Sequence, residues 1–489
     1  MALSQQGQFA DAGPTSLRPM PPARLERLLG DWRQGDHAYL ELATALRGLA
    51  HDGRLPPGTR LPSERSLAKL LGLSRNTVTA TMDVLRADGL LASRRGAGSW
   101  TTLPRTIGAR PDGTGQSTAE LDMTAAVLPA PARLGSLAAL AAADLQRHLG
   151  GIGYDPYGLP ELRDAIAAHL TERGAPTRRE HVLVTQGALH GLDLVLRTLV
   201  RPGDGVLVES PTYPAALDAI AARGARALPV AIDDDGWDLP FLESTLETVA
   251  PRLAYLTPDH QNPTGVSVGE AQRRALLVAA RRSGTLVVVD EIAADLAFDD
   301  APRPPRLAAL DRHDTTITLG SLSKLCWAGL RVGWVRAAPG IVDRLARTRS
   351  ASDIGSPTLD GLVAVRVLAE LEPLIADRRR LLVERRDVLL EALAEQLPEW
   401  RLATTPRGGL CVWLELPGPI SSRLAATART LGVLVAPGPR FDASGGLDHR
   451  LRLPLTSPDV TVEAVRRLAE AERRSAPRTR AHRTPEWVV

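Results

Sequence analysis

Five short apolar runs between residues 182 and 321 constrain this chain more than any other feature. They read VLVT, VLVES, LAYLT, LVVVDE and TITLGS, and glycine, proline or small polar residues and then a helical pattern follow most of them. Runs this short and this uniformly apolar read as strands buried on both faces. Strand-like runs alternating with helical ones build an α/β domain around a mostly parallel sheet, because parallel neighbours need a long crossover that a helix supplies. In such sheets ligands sit beyond the carboxyl ends of the strands. The polar residues that end these runs are therefore the first candidates for chemistry.

The first run leads into Gln186-Gly187-Ala188 and a helical segment, so Gly187 and Ala188 offer backbone N–H groups at a helix N-terminus to an anion. Tyr213 follows the second run, Asn262 the third, Asp290 ends the fourth, and Lys324 follows the fifth. Taken singly, these have ordinary explanations: a turn at Asn262-Pro263, a cap at Asp290, packing at Tyr213. Lys324 stands apart, because it is one of only two lysines in a chain with 59 Lys plus Arg. A surface cation could be either residue, whereas an amine that must lose its proton and attack a carbonyl has to be lysine. An anion cradle, a flat aromatic, an amide donor, a carboxylate and an amine together make the set that pyridoxal 5′-phosphate requires.

The stretch SLSKLCWAGLRVGW, Ser321 to Trp334, resembles the lysine segment of fold-type I aminotransferases. That resemblance implies that Ser321, Ser323 and Arg331 complete a phosphate site and that Lys324 carries the cofactor. It also implies that Arg452 in HRLRLPLTSP, with Arg450 second, holds a ligand α-carboxylate, and that Tyr154 reaches a neighbouring subunit's site. Two positions depart from the family. Ala293 stands three residues after Asp290, where a tyrosine often donates to the cofactor's phenolate oxygen, and the cradle Gln186–Leu189 has no hydroxyl side chain after its glycine. The expectation is that cofactor binding persists and efficient turnover does not. Ser321-Leu322-Ser323-Lys324 also fits S-x-x-K, but that mechanism wants a K-T-G as well, and the other lysine, Lys69, is followed by Leu70.

A second pattern lies upstream. Between His37 and Arg105 there are ten Arg or Lys against five acids, a local excess of five in a chain whose net charge is +3. Leu42, Leu46 and Leu49 recur at helical spacing before LPPGTRLP breaks the pattern; Ser63 can cap a second helix that Gly72 stops. Ser74 can cap a third, with Val78, Met82 and Leu85 on one face and Gly89 as its C-cap, and LLAS and SWTTL then flank a basic hairpin. Three helices and a basic hairpin describe a winged helix-turn-helix. The run GRLPPGTRLPSERSLAKLLGLSRNTVTATMDVLRADGLLASRRGAGSW resembles the DNA-binding domain of the GntR family of bacterial transcription regulators. The resemblance implies that Arg65, Ser74, Arg75, Asn76 and Thr77 contact DNA, with Arg95 and Gly96 at the wing. Thr79 lies on the same polar face.

The expected organisation is an extension over residues 1–36, a reader over 37–103, a Gly- and Pro-rich linker over 104–119, an aminotransferase-like domain over 120–475 and a basic tail over 476–489. This joined architecture resembles the MocR subgroup of GntR regulators. It implies a regulator that binds double-stranded operator DNA, holds pyridoxal 5′-phosphate and senses a small-molecule effector, amino-acid-like or vitamin B6, as a homodimer whose linker permits domain swapping. The alternative is a working aminotransferase with an appended reader. Cys326 and Cys411 fit neither a disulfide framework nor a metal site, no metal is expected, and MALSQQGQF lacks the basic start of a signal peptide. A cytoplasmic protein with no membrane partner is the expectation.

Overall fold

The computed structural model describes residues 18–30, 32–33, 38–51, 54–55, 58–87, 90–94, 98–102 and 121–475. The chain divides into two compact units. One runs to Leu121 and includes Ile420–Arg440 and the chain from Arg467; the other is Asp122–Pro419 with Phe441–Arg466.

In the first unit, strand β1 (Arg18–Pro19) and helices α1 (Pro22–Leu29) and α2 (Ala38–His51) precede β2 (Thr59–Arg60), α3 (Glu64–Leu71) and α4 (Arg75–Ala87). The hairpin β3 (Leu91–Arg94) and β4 (Gly98–Thr101) follows, and β2 and β1 extend it to a sheet of order β1-β2-β4-β3. Ser63 caps α3 by accepting from the Ser66 N–H, and Gly72 ends it in the left-handed region at φ 63°. Ser74 caps α4 by accepting from the Thr77 N–H at 3.1 Å. Leu42, Leu46, Leu49, Leu67, Val78, Met82 and Leu85 form one core, which Met20, Leu25 and Leu29 join from before residue 37. In α1, PARLERLL, Leu25 and Leu29 lie four apart and so share the buried face. Arg95, Gly96 and Gly89 lie outside the described residues.

After β5 (Leu121–Met123) come β6 (Val182–Thr185), β7 (Gly205–Ser210), β8 (Arg226–Asp233), β9 (Gly236–Trp237), β10 (Leu253–Leu256), β11 (Leu286–Asp290), β12 (Thr316–Ser321) and β13 (Gly333–Arg336). The last eight form one sheet of order β6-β13-β12-β11-β10-β7-β8-β9. The pairs β12–β11, β11–β10, β10–β7 and β7–β8 are parallel; β13 is antiparallel to both its neighbours. Successive residues face opposite layers: Val206 and Val208 enter one apolar cluster with Val288 and Ile317, while Leu207, Val287 and Val289 enter the other. That double burial is why these strands read as unbroken apolar runs. Downstream, antiparallel strands at Cys411–Glu415 and Arg450–Pro454 set Arg452 opposite Trp413. No helix among the described residues is long and apolar enough to cross a membrane, and no group of His, Cys, Asp and Glu there could hold a metal ion.

Candidate functional site

Gly333 pairs with both Thr185 and Ser321, so the ends of β6 and β12 lie on either side of the start of β13. Gly187 follows β6 at φ 92° as N-cap of the helix Ala188–Leu199. A Cβ there would sit 2.9 Å from Arg331 Nη2, so glycine is required by backbone angle and by close approach together. Arg331 is itself left-handed at φ 54°, and its Nη2 donates to the Gln186 carbonyl at 2.5 Å. A non-glycine residue held in that region marks a position where local strain is tolerated for placement. Ser321 is buried; its hydroxyl reaches the Val332 carbonyl and the Ser323 hydroxyl, each at 3.0 Å, and accepts from the Ser323 N–H. A guanidinium, helix N-terminal N–H groups and a serine hydroxyl lie close together here, a set whose chemistry suits an anion.

The other end of the site is built around Lys324. Burial lowers its ammonium to about 8, Arg452 adds repulsion, and Cys411 and Asp290 act in the opposite direction. Its Nζ donates to the Ala126 carbonyl at 2.7 Å. Arg452 is buried as well: Nη1 donates to Asn262 Oδ1 at 3.3 Å, Nη2 to the Thr124 carbonyl, and the guanidinium lies over the Phe441 ring. Asn262 Oδ1 also accepts from Cys411 Sγ at 3.8 Å, which leaves the amide Nδ2 without a partner among the described residues. Asp290 accepts from the Tyr255 hydroxyl at 2.7 Å and from the Ile292 N–H. Burial pushes its carboxyl up, and those two donors and the Lys324 charge offset that push. No ion pair closes between Asp290 and Lys324 among the described residues, so the buried acid lacks a cation of its own. A protonated pyridine nitrogen would supply one. Burial raises the Tyr213 phenol, which also feels Asp290, Arg452 and Arg331 and so lies between the two ends.

Lys324, Asp290, Asn262, Tyr213 and Arg452 thus lie together, and Gly187, Ser321, Ser323 and Arg331 gather beside them, with Ala188 opening the helix that Gly187 caps. Arg450 instead pairs with Glu415 at 2.9 Å. Tyr154 is exposed. Ala293 is buried in the turn after Asp290, which Glu291 and Asp295 tie to Arg306. Sequence reasoning missed Tyr255, whose hydroxyl within an apolar strand was the available signal. It also missed the carbonyls of Thr124 and Ala126, for which backbone leaves no signal. Gly265–Gly269 spells G-x-S-x-G, a hydrolase motif, yet Ser267 Oγ staples its own loop, accepting from the His260 N–H and meeting His260 Nδ1 at 3.0 Å. His260 Nε2 is buried with no partner among the described residues, so no acid completes a triad.

In the reader, Arg65, Arg75 and Asn76 are exposed and their side chains hold no hydrogen bond or ion pair among the described residues. Ser74 is engaged as the α4 cap and Thr77 with it. Thr79 donates to Glu64 at 2.9 Å and so braces α3 against α4 instead of facing outward. Two free cations and an amide at the starts of α3 and α4 match what phosphates and base edges accept.

The model of the family "Aminotransferase class I and II" matches residues 136–471, and that of "Bacterial regulatory proteins, gntR family" matches 38–100. The 2-aminoadipate transaminase of Thermus thermophilus is 35% identical, covering 68% of this chain and 85% of that protein. The "Probable rhizopine catabolism regulatory protein MocR" of Rhizobium meliloti is 30% identical over 74% of this chain and 78% of its own length. Among solved structures, LysN, the α-aminoadipate aminotransferase of Thermus thermophilus complexed with N-(5′-phosphopyridoxyl)-L-leucine, superposes with a TM-score of 0.67 at 34% identity, covering 73% of this chain and 93% of that one. An aminotransferase fold carrying a GntR-type helix-turn-helix ahead of it is therefore what this sequence encodes, and the chain belongs to the class I and II aminotransferase family in its MocR-type, GntR-regulator form.

Proposed function

We propose that this chain is a transcription regulator that binds operator DNA through Arg65, Arg75 and Asn76, holds pyridoxal 5′-phosphate at Lys324, and senses an amino-acid-like effector whose carboxylate Arg452 receives. Arg95 and Gly96 would add the wing. The cofactor fits the residues present: Arg331, Ser323 and the Ala188 helix terminus suit its phosphate, Tyr213 its ring face, Asn262 Nδ2 its phenolate oxygen and Asp290 its ring nitrogen. When bound, it supplies an electrophilic carbonyl carbon and an electron-withdrawing ring.

The observation that carries the sensing role is the occupancy of the two buried cations. Lys324 and Arg452 are both capped by carbonyls of one short segment, Ala126 and Thr124. A ligand carboxylate at Arg452 replaces the Thr124 carbonyl and releases that segment, which follows β5 and the linker to the reader in sequence. Exposed Leu149, Ile152 and Tyr154 support a second copy covering this face of the aminotransferase-like unit, as a homodimer would.

A second reading, a working aminotransferase, is favoured by the complete Lys324, Asp290 and Arg452 set. One experiment separates the two. DNA from upstream of the coding sequence is titrated by anisotropy with cofactor-loaded protein and a panel of amino acids, while keto acid is assayed in the same samples. A several-fold change in DNA affinity with background keto acid is expected. DNA binding indifferent to every amino acid, with keto acid accumulating over many turnovers, would establish the enzyme instead.

A further inference from the structure

Glu209, the penultimate residue of β7, lies deep in the sheet, one per cent exposed, and no step described above uses it. Three donors converge on it. Trp237 Nε1 reaches Oε1 at 2.9 Å, the Thr257 N–H reaches the same oxygen at 3.0 Å, and Gln261 Nε2 reaches Oε2 at 3.0 Å. An ionised carboxylate accepts on every lone pair, whereas a protonated one would bring an O–H into a set of three donors, so this set matches the ionised form best. Burial pushes the carboxyl up to about 7 and the three donors oppose that push. Gln261 is polarised in turn: Nε2 also donates to the Pro211 carbonyl at 2.7 Å, and Oε1 accepts from the Thr264 N–H and hydroxyl. The amide therefore cannot flip without setting donor against donor.

The consequence reaches the candidate site from two sides. Pro211 precedes Tyr213 by two residues, and Gln261 is the neighbour of Asn262. Resting on the cofactor reading above, we propose that Glu209 is a positioning residue: through Gln261 it fixes both the loop that presents Tyr213 and the loop that presents the Asn262 amide. Glu209→Gln would turn an N–H toward one of the three donors and break this chain of matched bonds. The same network makes the roles of both loops depend on one buried acceptor.

The test is a visible-absorbance pH titration of pyridoxal 5′-phosphate bound to wild type, to Glu209→Gln and to Gln261→Met. An ill-placed Asn262 gives less support to the anionic phenolate. The pH at which the band shifts should then rise by about half a unit or more in both variants, corresponding to one weakened hydrogen bond. A purely architectural role would lower stability and leave that midpoint where it is. Midpoints coincident with wild type overturn the proposal. Wild type that takes up no cofactor overturns the cofactor reading and this proposal with it. If Glu209→Gln gives no folded protein, Gln261→Met decides between the same two outcomes.

Discussion

Replacing Lys324 with methionine should stabilise the cofactor-free protein near neutral pH. Burial, reinforced by Arg452, lowers the ammonium from an ordinary 10.5 to about 8. Between those values the unfolded chain binds the proton and the folded chain does not, so folded-state stability rises with pH across that window. Below 8 the burial penalty is present in full; above 10.5 it is gone. At about 1.4 kcal/mol per pKa unit the penalty amounts to roughly 3 kcal/mol. Methionine matches the length of the side chain without its charge, and loss of the bond to the Ala126 carbonyl, whose donor is charged at neutral pH, takes back about 2 kcal/mol. The net gain is on the order of 1 kcal/mol. Urea unfolding of stripped wild type and Lys324→Met at neutral pH and near pH 10.5 reads it directly, since every other titrating group is common to both proteins. The variant should lead at neutral pH, and the lead should vanish at high pH. A pH-independent difference, or a more stable wild type at neutral pH, would refute the reasoning. The same shift has a chemical side: at pH 7 roughly one amine in ten is neutral, against about one in three thousand for an ordinary lysine.

Two further outcomes are expected. Gly187→Ala places a Cβ 2.9 Å from Arg331 Nη2 at φ 92°, so it should weaken cofactor retention by tenfold or more in equilibrium dialysis while far-UV circular dichroism stays unchanged. In the reader, Arg65→Ala and Arg75→Ala should each reduce the log–log salt slope of DNA binding by about one and leave cofactor uptake unaltered; unchanged slopes in both would remove these arginines from the phosphate contacts.

The strand ends were legible because burial on both faces writes a strand as an apolar run, and Asp290, Asn262, Tyr213 and Lys324 stand where those runs stop. Gly187 was legible for the same reason, although the cause of its necessity, the approach of Arg331, appears only in three dimensions. Arg450 and Arg452 look alike in sequence, and only the partners differ: Glu415 takes one, while Asn262 and the Thr124 carbonyl take the other. Glu209 sat unnoticed inside VLVES, because a single acid at a strand end resembles a cap until its three donors are seen. The reader's core reached further toward the N-terminus than its helical spacing announced, since Met20 lies beyond a proline pair and α1 is only eight residues long.

Whether such a site serves sensing or turnover depends on where ligand energy is delivered, and the structure gives that question a physical form. A ligand shifts a regulator only by its difference in affinity for two states. Lys324 and Arg452 both face neutral carbonyls, those of Ala126 and Thr124. The bond from Arg452 to the Thr124 carbonyl is charge-assisted through its guanidinium alone, and a carboxylate adds the opposite charge on the acceptor side, a gain on the order of 1–2 kcal/mol, within the range usual for coupling between sites. That is about a tenfold shift. On the sensing role proposed above, the displaced segment is the stretch that follows β5 in sequence, so a gain made at Arg452 would be applied toward the reader's side of the chain. Efficient turnover would require the segment to leave and return with every substrate. A sensor needs it to leave once and remain displaced while the ligand stays.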